Sequence, residues 1–517
     1  MTDRPLRIER ALLSVYDKTG LAGLARALHA RGVEIVSSRS TAAAIAEAGV
    51  PVTDVADITG VPPILDHRVV TLHPKIHGGV LAEPTKPEHQ ADMAEYGIAP
   101  FQLVVSNLYP FGAAVAGFEY GSGEGVDMID IGGPALTRAA AKNHEFVTIV
   151  TAIDQYDQLL AELGEHDGAV TLTTRRRFAL EAFARTAAYD ASIVQWLQHD
   201  EALPRHVVVA LERTDEQLRY GENPHQRGAR YRFRDEQSWF DTIQQHSGLA
   251  LSYLNLFDAD AAWKLAFDLG DRPACAIIKH ANPCGAAVAG DLASAYQRAL
   301  ECDERSAFGG IVAVNRAIDA ATVERMIAGP QADVVIAPGY EPGVLDALTK
   351  KRKNTRLLTA APPAGARLDF RQVSGGFLVQ DPHHFAAERD TWKVVTKAAP
   401  TDEQWRDLAM AWRLVGHVKS NAIVLVKDGT AWGIGAGQQN RVESGEIAAK
   451  KAAGRAAGGA CASDAFYPFP DGVEAAAAAG VAAVIQPGGS VKDDAVIERA
   501  DALGLAMVFT GERHFVH

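Results

Sequence analysis

A lysine and a histidine stand side by side at the end of a predicted strand. Residues 274–279 form an apolar run typical of a strand, and its last residue, Lys279, is followed by His280. In open α/β sheets, ligands collect at the carboxyl ends of strands. A neighbouring ammonium group disfavours a second positive charge, which leaves an imidazole able to accept a proton. The pair therefore predicts a general base with a cationic partner.

The same segment matches only part of a zinc-deaminase signature. That signature requires H-x-E and P-C-x-x-C, whereas Asn282 stands two residues after His280 and Ala287 stands three residues after Cys284. A catalytic zinc site needs three protein ligands. The sequence therefore predicts no zinc, and it is still compatible with a deaminase-like fold that lacks the metal.

Glycine turns and recognition groups flank this segment along the chain. Residues 219–226 form a polar loop, and residues 306–310 form a glycine turn before a predicted strand. Residues 433–441 resemble a dinucleotide-binding turn, but Gln438 stands where the third glycine belongs, and no acidic residue clearly follows at the ribose spacing. A substrate-binding turn that ends in a phosphate-binding Arg441 is the better interpretation.

Small hydroxyl residues follow two predicted strands near the N-terminus. Ser14, Lys18 and Thr19 lie at or just past the end of the first strand. Residues 37–41, with the sequence Ser-Ser-Arg-Ser-Thr, follow the second strand and open a helix. A helix N-terminus with hydroxyl groups suits a phosphate, and ordinary helix capping explains a single Ser or Thr equally well. The pattern alone leaves both interpretations open.

Three further segments of this part carry hydrogen-bond donors. Residues 68–79 contain an Arg, a Lys, two His and a glycine pair, and residues 107–111 follow a strand. Residues 130–134 lead into a helix that carries Arg138 and Lys142 four residues apart, on one face. The density of donors favours a site in the first segment. From its spacing alone, Lys142 is an ordinary exposed helix lysine.

Alternating strands and helices must position these groups in the first 200 residues. The predicted strands are residues 11–15, 33–36, 103–106 and 147–150, and the predicted helices are residues 21–30 and 41–48. This rhythm predicts a parallel sheet with helices on both faces. A long helix over residues 178–196 closes the domain, and Pro204 breaks the pattern after it, so we place the domain boundary at residue 200.

The rest of the chain again mixes strands and helices. It begins with a β-rich stretch over residues 207–211, and an alanine run at 475–479 predicts a helix. The other predicted strands are residues 274–279, 310–314, 334–337, 422–427 and 482–485. This part is long enough for two subdomains, but no clean sequence repeat is visible.

The composition argues against several classes of protein. The chain has 517 residues, a formal net charge of −13 and 47% hydrophobic residues, which fits a globular protein of two or more domains. The negative charge argues against nucleic-acid binding. No apolar run reaches the ~20 residues of a membrane span, and the polar N-terminus argues against export. Four cysteines without a C-x-x-C pair predict reduced thiols in a cytoplasm.

With these motifs in hand, the chain resembles a family of bifunctional purine-biosynthesis enzymes along its whole length. The family combines aminoimidazole-carboxamide ribotide (AICAR) formyltransferase with inosine monophosphate (IMP) cyclohydrolase. Nine motifs carry the resemblance, in this order: Thr71-Leu72-His73-Pro74, Asn107-Leu108-Tyr109-Pro110-Phe111, Asp130-Ile131-Gly132-Gly133, Ala139-Ala140-Ala141-Lys142-Asn143-His144, Arg219-Tyr220-Gly221-Glu222-Asn223-Pro224-His225, Lys279-His280-Ala281-Asn282-Pro283-Cys284-Gly285, Ser306-Ala307-Phe308-Gly309-Gly310, Gly433-Ile434-Gly435-Ala436-Gly437-Gln438-Gln439 and Asp464-Ala465-Phe466-Tyr467-Pro468-Phe469.

The resemblance implies an α/β fold in two domains. Residues 1–200 would form a cyclohydrolase domain similar to methylglyoxal synthase, with a doubly wound parallel sheet. Residues 201–517 would form a formyltransferase of two cytidine-deaminase-like subdomains without zinc. The resemblance further implies a homodimer in the cytoplasm that uses 10-formyltetrahydrofolate to formylate AICAR and then closes the product (FAICAR) to IMP with loss of water.

The resemblance also implies roles for individual residues. His280 would take a proton from the attacking amino group, Lys279 would assist proton transfer to the departing folate nitrogen, and Asn421 would hydrogen-bond the developing oxyanion. The catalytic residues of ring closure would be Tyr109, Asp130 and Lys142. The substrate-binding residues would be Ser14, Lys18, Ser38, Ser40, Thr41, Arg68, Thr71, Asn107, Gly132 and Gly133 in the first domain, and Arg219, Tyr220, Asn255, Phe308, Gly309, Asp333, Arg441, Phe466 and Arg513 in the second.

Two positions depart from the family's pattern. The family commonly has Lys before Thr-Leu-His-Pro, and this chain has Val70, so either Lys142 or Lys75 would supply the missing cation or cyclisation would be slower. The family's phosphate loop is commonly Ser-Thr-Gly-Gly-Thr, and residues 37–41 lack both glycines. Side chains such as Arg39 would then contact the phosphate, because backbone approach is restricted.

Val70 supports one alternative, a formyltransferase whose first domain only binds nucleotide. A zinc-dependent deaminase and a nucleotide-binding scaffold without catalysis are two further alternatives. The missing zinc ligands argue against the deaminase, and the Lys279-His280 pair argues against the scaffold.

Overall fold

The chain divides into two compact units. The computed structural model describes residues 5–65, 68–119, 122–198, 201–234, 237–365 and 368–517. One unit comprises Met1–Glu212 with Phe233–Asp235, and the other comprises Arg213–Arg232 with Glu236–His517. The change of unit at Glu212 comes later in the chain than the boundary at residue 200 that the break at Pro204 predicts.

A five-stranded parallel sheet forms the centre of the first unit. The strands of this unit are β1 (Leu6–Arg7), β2 (Arg10–Leu13), β3 (Glu34–Ser37), β4 (Thr53–Asp54), β5 (Leu103–Val105), β6 (Thr148–Val150) and β7 (Ala169–Val170). The sheet has the order β4-β3-β2-β5-β6, and all neighbouring pairs are parallel. The parallel sheet and the predicted strands that became β2, β3, β5 and β6 are confirmed, because nearly continuous apolar runs are typical of buried parallel strands.

Ten helices of the first unit are described. They are α1 (Leu21–His29), α2 (Arg39–Glu47), α3 (Val55–Thr59), α4 (Pro74–Leu81), α5 (Pro87–Tyr96), α6 (Phe111–Val115), α7 (Gly123–Asp127), α8 (Gly132–Lys142), α9 (Gln155–Glu165) and α10 (Leu172–Leu197). Helix α10 begins earlier than predicted because the Thr171 side chain caps it by accepting from the Thr174 amide. Its apolar face, including Phe178 and Ala182, is buried against the sheet core.

A mixed sheet of twelve strands dominates the second unit. The strands that follow β7 in the chain are β8 (Leu211–Arg213), β9 (Tyr231–Phe233), β10 (Gln244–Ser247), β11 (Ala274–Lys279), β12 (Asn282–Val288), β13 (Ile311–Val314), β14 (Val334–Ala337), β15 (Arg356–Thr359), β16 (Asp369–Val373), β17 (Gly376–Gln380), β18 (Lys393–Val394), β19 (Ile423–Lys427), β20 (Thr430–Gly435), β21 (Ala460–Ser463), β22 (Ala483–Gln486) and β23 (Ala506–Phe509). The large sheet has the order β10-β15-β14-β13-β11-β12-β20-β19-β21-β22-β23-β18.

The helices of the second unit pack on this sheet. They are α11 (Tyr253–Asp268), α12 (Leu292–Cys302), α13 (Glu304–Ala307), α14 (Ala320–Ala328), α15 (Val344–Lys351), α16 (Asp402–Val415), α17 (Arg441–Ala452), α18 (Asp471–Ala478) and α19 (Asp493–Ala502). The helix predicted from the alanine run is confirmed as the end of α18. The prediction of a strand over residues 207–211 is wrong, since β8 begins only at Leu211 and the valines at 207–209 are exposed.

The twelve-stranded sheet consists of two halves with the same topology. In each half, a hairpin (β11–β12 or β19–β20) is followed by three strands (β13–β15 or β21–β23) and is flanked at the far edge by a short antiparallel strand (β10 or β18). The halves meet where β12 pairs antiparallel with β20. Corresponding strands start 148 to 150 residues apart, and the spacing is 149 for β11 and β19, which start at 274 and 423, and for β14 and β22, which start at 334 and 483. The second unit is therefore an internal repeat.

Helices α11 and α16 correspond in this repeat. Both begin with a capping box, and both carry a buried Asp and a fully buried Trp at the same distances from the cap. The corresponding pairs are Ser252 and Thr401, Asn255 and Gln404, Asp258 and Asp407, and Trp263 and Trp412. The two indole rings fill one continuous core between these helices and the sheet.

Candidate active sites

His280 and Ala281 form the two-residue turn of the β11–β12 hairpin. Both residues have a φ of 56°, the left-handed conformation that the common two-residue hairpin turn requires at both positions. For residues other than glycine this conformation costs about 1–2 kcal/mol each. The His280 side chain is exposed at the end of a buried strand, where a bound substrate can reach it.

The Lys279 ammonium group is held against the loop before β13. It donates to the Gly309 carbonyl at 2.9 Å and to the Phe308 carbonyl at 3.3 Å. A Cβ on Gly309 would lie 3.2 Å from Nζ of Lys279 and 3.8 Å from Oδ1 of Asp333. Four residues that the sequence assigns to one site, Lys279, Phe308, Gly309 and Asp333, therefore meet in the second unit.

The segment before β19, residues 419–421, contacts both the β11–β12 hairpin and the turn at residues 438–439. The Lys419 amide donates to Oδ1 of Asn282 at 3.1 Å, which ties the segment to the β11–β12 hairpin. Nδ2 of Asn421 donates to the carbonyls of Gln438 at 3.0 Å and Gln439 at 3.3 Å. Because both amide hydrogens of Asn421 have backbone acceptors, an oxyanion must replace one of these acceptors.

Lys419 is a cation near this site that sequence analysis does not assign. Its Nζ donates to the His517 carbonyl at 2.6 Å. Burial, with a smaller contribution from Arg371, lowers the pKa of Lys419. Its position two residues before Asn421 is the sequence signal that points to it.

Arg441, the first residue of α17, is ion-paired with a buried carboxylate. Its Nη2 lies 2.7 Å from Oδ1 of Asp464, which is fully buried, and its Nη1 donates to the Phe466 carbonyl at 3.4 Å. The His514 amide donates to the Asp464 carbonyl at 2.9 Å, which brings the neighbouring Arg513 to the same region. A phosphate must compete with Asp464 for the Arg441 guanidinium.

A second basic group lies near Asp333. Burial is the main cause that lowers the pKa of Arg356, while Asp333 opposes this shift and Arg219 adds to it. Arg219 is exposed, with its guanidinium carbon 5.7 Å from the centre of the Tyr220 ring. Nη2 of Arg356 donates to the Ala250 carbonyl at 2.9 Å. Sequence analysis does not identify Arg356 as a site residue. These positive charges suit an anionic ligand.

Asn255 lies in the first turn of α11, where it has a capping role. Its Oδ1 accepts from the Ser252 amide at 3.1 Å, and the Ser252 hydroxyl accepts from the Asn255 amide at 3.2 Å. The side chain is buried, so the prediction that Asn255 binds the ribotide requires a contact through its amide nitrogen.

The hydroxyl residues of the first unit lie at the ends of β2 and β3. Oγ1 of Thr41 donates to the Val15 carbonyl at 3.0 Å and accepts from the Val15 amide at 3.3 Å, so this hydroxyl joins α2 to the end of β2. Ser38 is the N-cap of α2 and makes no side-chain capping bond, and Ser40 is exposed. Ser38 and Ser40 can therefore meet an anion at the helix N-terminus, with Ser14 half-buried nearby on the strand end.

Arg39 takes the conformation of the missing glycine. Its φ is 54°, within the left-handed region that glycine adopts without cost. At this position the backbone adopts a conformation that glycine favours, and the exposed Arg39 side chain places a guanidinium group in the loop.

The side chain of Asn107 orders the loop after β2. Its Oδ1 accepts from the amides of Tyr16 at 2.6 Å and Asp17 at 3.1 Å, and its Nδ2 donates to the Asp17 carbonyl at 2.9 Å. The neighbouring Lys18 is exposed. The ring of Tyr109 lies 4.1 Å from that of Tyr16, centre to centre, and a hydrogen bond with Tyr16 is the main cause that raises the pKa of Tyr109. Tyr109 therefore stays a protonated donor at neutral pH.

Asp130 faces the first turn of α8. Its Oδ1 accepts from the Gly133 amide at 3.0 Å, and a Cβ on Gly133 would overlap the carboxylate. A Cβ on Gly132 would lie 3.5 Å from Oγ1 of Thr71 and 4.0 Å from Oδ1 of Asp130. Burial is the main cause that raises the pKa of Asp130, and the Gly133 and Gly132 amides oppose it. Asp130, Thr71 and both glycines therefore form one group.

Lys142 is not part of that group. It ends α8, whose first residue is Gly132, and at 1.5 Å per residue the two helix ends lie ~15 Å apart. The exposed Lys142 instead acts electrostatically on Glu83, after the end of α4. Lys142, to which the resemblance assigns a role in ring closure, is therefore separated from Asp130 by the whole length of α8.

The other cations near Val70 also have partners elsewhere. Nζ of Lys75 donates to the Ile58 carbonyl at 3.1 Å, and the exposed Arg68 is ion-paired with Asp127. Val70 itself packs against the core of the first unit. In this conformation, neither Lys75 nor Lys142 replaces a cation at position 70.

Comparisons with known proteins identify the family. Residues 140–451 match the model described as the AICARFT/IMPCHase bienzyme. The chain belongs to this family. Residues 20–135 match the MGS-like domain, in agreement with the parallel sheet of the first unit. Two proteins named "Bifunctional purine biosynthesis protein PurH" are similar over 100% of both chains, with 52% identity in Dinoroseobacter shibae and 51% in Roseobacter denitrificans.

Membership establishes the activity. The bienzyme carries out the last two steps of IMP synthesis, the formylation of AICAR with a formyl-folate and the closure of FAICAR to IMP. Its ligands are small molecules of the purine pathway. In the described part of the chain, no helix is long and apolar enough to cross a membrane, and no group of three or more His, Cys, Asp or Glu could hold a metal ion.

Proposed function

We propose that residues 201–517, which include the whole second unit, formylate AICAR with 10-formyltetrahydrofolate and that His280 is the base. The aromatic 5-amino group is a poor nucleophile, so it must lose a proton as it attacks the formyl carbon. The exposed imidazole on the β11–β12 turn supports this role, because a turn at the end of buried strands holds a side chain more firmly than a long loop does.

Lys279 and Asn421 complete the proposed transfer. The Lys279 ammonium has three hydrogens, and two of them have carbonyl acceptors, on Gly309 and Phe308. The third is available to protonate the folate nitrogen as its bond to the formyl carbon breaks. Nδ2 of Asn421 donates to the oxyanion once it gives up the Gln439 carbonyl, which is the longer of its two contacts.

The ribotide phosphate and ribose require the basic residues around this centre. The charges of Arg219 and Arg356 near Asp333, and of Arg441 and Arg513 near Asp464, support two anchoring regions. Tyr220, Asn255, Phe308, Gly309 and Phe466 complete the proposed binding set. Binding of a phosphate to Arg441 weakens the existing ion pair between its guanidinium group and Asp464, because the two anions compete for the same donors.

Ring closure takes place, in our proposal, in the first unit. The carboxamide nitrogen attacks the formyl carbon of the same molecule, so the reaction has a high effective molarity and needs mainly orientation. The Asp130 carboxylate accepts the proton that the attacking nitrogen loses, and the Tyr109 hydroxyl donates to the oxygen that becomes an alkoxide. That oxygen takes up protons and leaves as water, while the formamido nitrogen loses its hydrogen and the C=N bond of the ring forms. Ser14, Lys18, Ser38, Ser40, Thr41, Arg68, Thr71, Asn107, Gly132 and Gly133 form or order the proposed nucleotide pocket. This low demand for catalysis explains how Val70 is tolerated.

The first unit as a nucleotide-binding module without catalysis is the second candidate. Val70 packs against the core, Lys75 donates to the Ile58 carbonyl, and Lys142 lies at the far end of α8, so neither of these two lysines replaces the family's lysine. We favour catalysis because Asp130 and Tyr109 retain the proton acceptor and donor that ring closure requires.

We further propose a cytoplasmic homodimer that binds neither zinc nor nucleic acid. The exposed Phe377 and Leu378 on the β16–β17 hairpin suit a second copy of the chain. All four cysteines are buried and have free thiols, and burial raises the pKa of Cys284 to about 12, which disfavours a thiolate ligand for zinc. The net charge of −13 disfavours nucleic acid.

Lys142→Ala is expected to lower kcat for ring closure by less than about tenfold, because the lysine lies a helix length from Asp130. The measurement follows IMP absorbance with FAICAR as substrate. Arg138→Ala, on the same face of α8, is the matched control. A loss of about 100-fold or more for Lys142→Ala alone, the effect of a positioned acid or base, would restore the sequence-based assignment.

Arg39→Ala is expected to raise KM for FAICAR about tenfold, because one charge-assisted hydrogen bond to the phosphate is lost. Arg39→Gly removes the same side chain but relieves the positive φ, so its KM should rise less and its first unit should unfold at a higher temperature. An unchanged KM in Arg39→Ala would mean that the guanidinium does not contact the phosphate.

A further inference from the structure

A buried carboxylate lies behind the His280 turn, and none of the roles above uses it. Oδ1 of Asp258, on α11, accepts from the Ala281 amide at 2.8 Å. The side chain is buried, and this burial raises the pKa of Asp258, while hydrogen bonds from the Ala281 and His280 amides and the charge of His280 oppose the rise. The carboxylate therefore holds the turn through the Ala281 amide, and the His280 amide also acts on it.

The second repeat contains the same arrangement. Oδ1 of Asp407, on α16, accepts from the Gly429 amide at 2.8 Å, and its Oδ2 accepts from the Asp428 amide at 3.0 Å. Asp428 and Gly429 form the β19–β20 turn, with φ values of 52° and 70°. Each half of the sheet thus has a buried Asp on its first helix that holds the left-handed turn of its hairpin.

The two turns differ in how much each depends on the buried carboxylate that holds it, Asp258 in the first and Asp407 in the second. The second turn contains Gly429, which adopts a positive φ without cost, whereas both residues of the first turn have a Cβ. The Asp258 carboxylate must therefore offset more strain at the first turn than Asp407 does at the second. The first turn also carries His280, while the second carries no residue that we assign to catalysis.

We propose that Asp258 is a positioning residue of the formyl transfer, which fixes the His280-Ala281 turn so that the imidazole faces the substrate amino group. This inference rests on the proposed role of His280. An Asp258→Asn side chain is neutral and has an NH₂ group in place of one oxygen, so it accepts from the Ala281 amide less strongly and brings a donor near the His280 amide. The turn then relaxes and the imidazole moves, although the substrate pocket keeps its residues.

The test compares Asp258→Asn with Asp407→Asn in the full-length enzyme. Both variants lose the same kind of buried contact, so their thermal unfolding should shift by similar amounts. Asp258→Asn should lower kcat for formylation by about tenfold or more, the effect of a small misplacement of a catalytic group, with KM for AICAR nearly unchanged. Asp407→Asn should leave both constants nearly unchanged, and both variants should close FAICAR at the wild-type rate.

Two additional variants separate positioning from a general loss of structure. In a His280→Ala background, Asp258→Asn should cause no further loss of formylation, because the two changes act through one group. Adding Ala281→Gly to Asp258→Asn should recover part of kcat, since glycine adopts the turn without help. This double variant also keeps the test open if Asp258→Asn alone folds poorly.

The outcomes distinguish a failure of the positioning role of Asp258 from a failure of the role of His280 as base. If His280→Ala is inactive but Asp258→Asn keeps the wild-type kcat, the positioning role is wrong and the role of His280 stands. If His280→Ala formylates at the wild-type rate, both are wrong. Equal losses of kcat in Asp258→Asn and Asp407→Asn, or no recovery with Ala281→Gly, would reduce Asp258 to a structural residue.

Discussion

Replacement of His280 by alanine is expected to lower kcat for AICAR formylation by about 10²–10⁴-fold, the usual contribution of a positioned acid–base group. The reason is that the conjugated amino group needs a proton acceptor as it attacks, and the exposed imidazole of the β11–β12 turn is our candidate. The measurement is the rate of tetrahydrofolate release with AICAR and 10-formyltetrahydrofolate.

Ring closure by the same His280→Ala variant is the internal control. FAICAR should be converted to IMP at the wild-type rate, because the proposed cyclohydrolase residues belong to the other unit. His384→Ala, which replaces an exposed histidine outside the proposed site, should keep both activities. Wild-type formylation by His280→Ala would rule out this residue as the base and would leave Lys279 or Lys419 to be tested next.

Asp130→Asn is expected to lower kcat for ring closure by about 100-fold or more while formylation is kept. The amide is nearly the same size and can still accept from the Gly133 amide, but it cannot accept a proton from the carboxamide nitrogen. Glu83→Gln is a matched control, since it also neutralises a carboxylate of the first unit, at the far end of α8 from Asp130.

The pH dependence of ring closure provides a second test of Asp130. Burial raises its pKa above the ordinary value of 3.8. Since the ionised form accepts the proton, kcat should fall as the pH decreases through this raised pKa, and the acid limb should be absent from the residual activity of Asp130→Asn. A wild-type rate that stays constant down to pH values well below 3.8 would contradict the role of Asp130 as base.

The sequence predicts the buried strands well because their apolar runs are long and unmixed. Residues 274–279 and 334–337 are predicted with the bounds that β11 and β14 have in the structure. An apolar run is also the cause of the wrong strand prediction at 207–211, because the valines there match a strand pattern but are exposed. Apolar content alone does not reveal whether a segment has a sheet to join.

A search for similar residues does not find the internal repeat, because its two halves share few residues other than the helix-capping residue, the buried Asp and the buried Trp. The turn residues differ, His280-Ala281 in one half and Asp428-Gly429 in the other, while the capping residue, the buried Asp and the buried Trp recur 149 residues apart, as Asp258 and Asp407 do. A search for a hydroxyl cap followed by Asn or Gln, Asp and Trp at fixed spacing finds both helices. Asp258 is therefore visible in the sequence only once the repeat is known.

The candidate sites are predicted less evenly than the fold. Lys279, which ends β11, meets Gly309, which precedes β13, because these two neighbouring strands are antiparallel. Asp130 accepts from the Gly133 amide because only three residues separate them. Lys142 does not join Asp130, since the intervening helix carries it away. The partner of Arg441, the buried Asp464, is a contact between distant segments that no local spacing predicts.

The most direct test of a catalytic first unit supplies the full-length enzyme with FAICAR and no folate, and follows IMP absorbance against a control without enzyme. Omitting folate leaves ring closure as the sole reaction on the path to IMP. We predict closure well above the uncatalysed rate, lost in Asp130→Asn and kept in His280→Ala. A rate equal to that of the control, from a folded enzyme that still binds IMP, would contradict this account and would make the first unit a nucleotide-binding module.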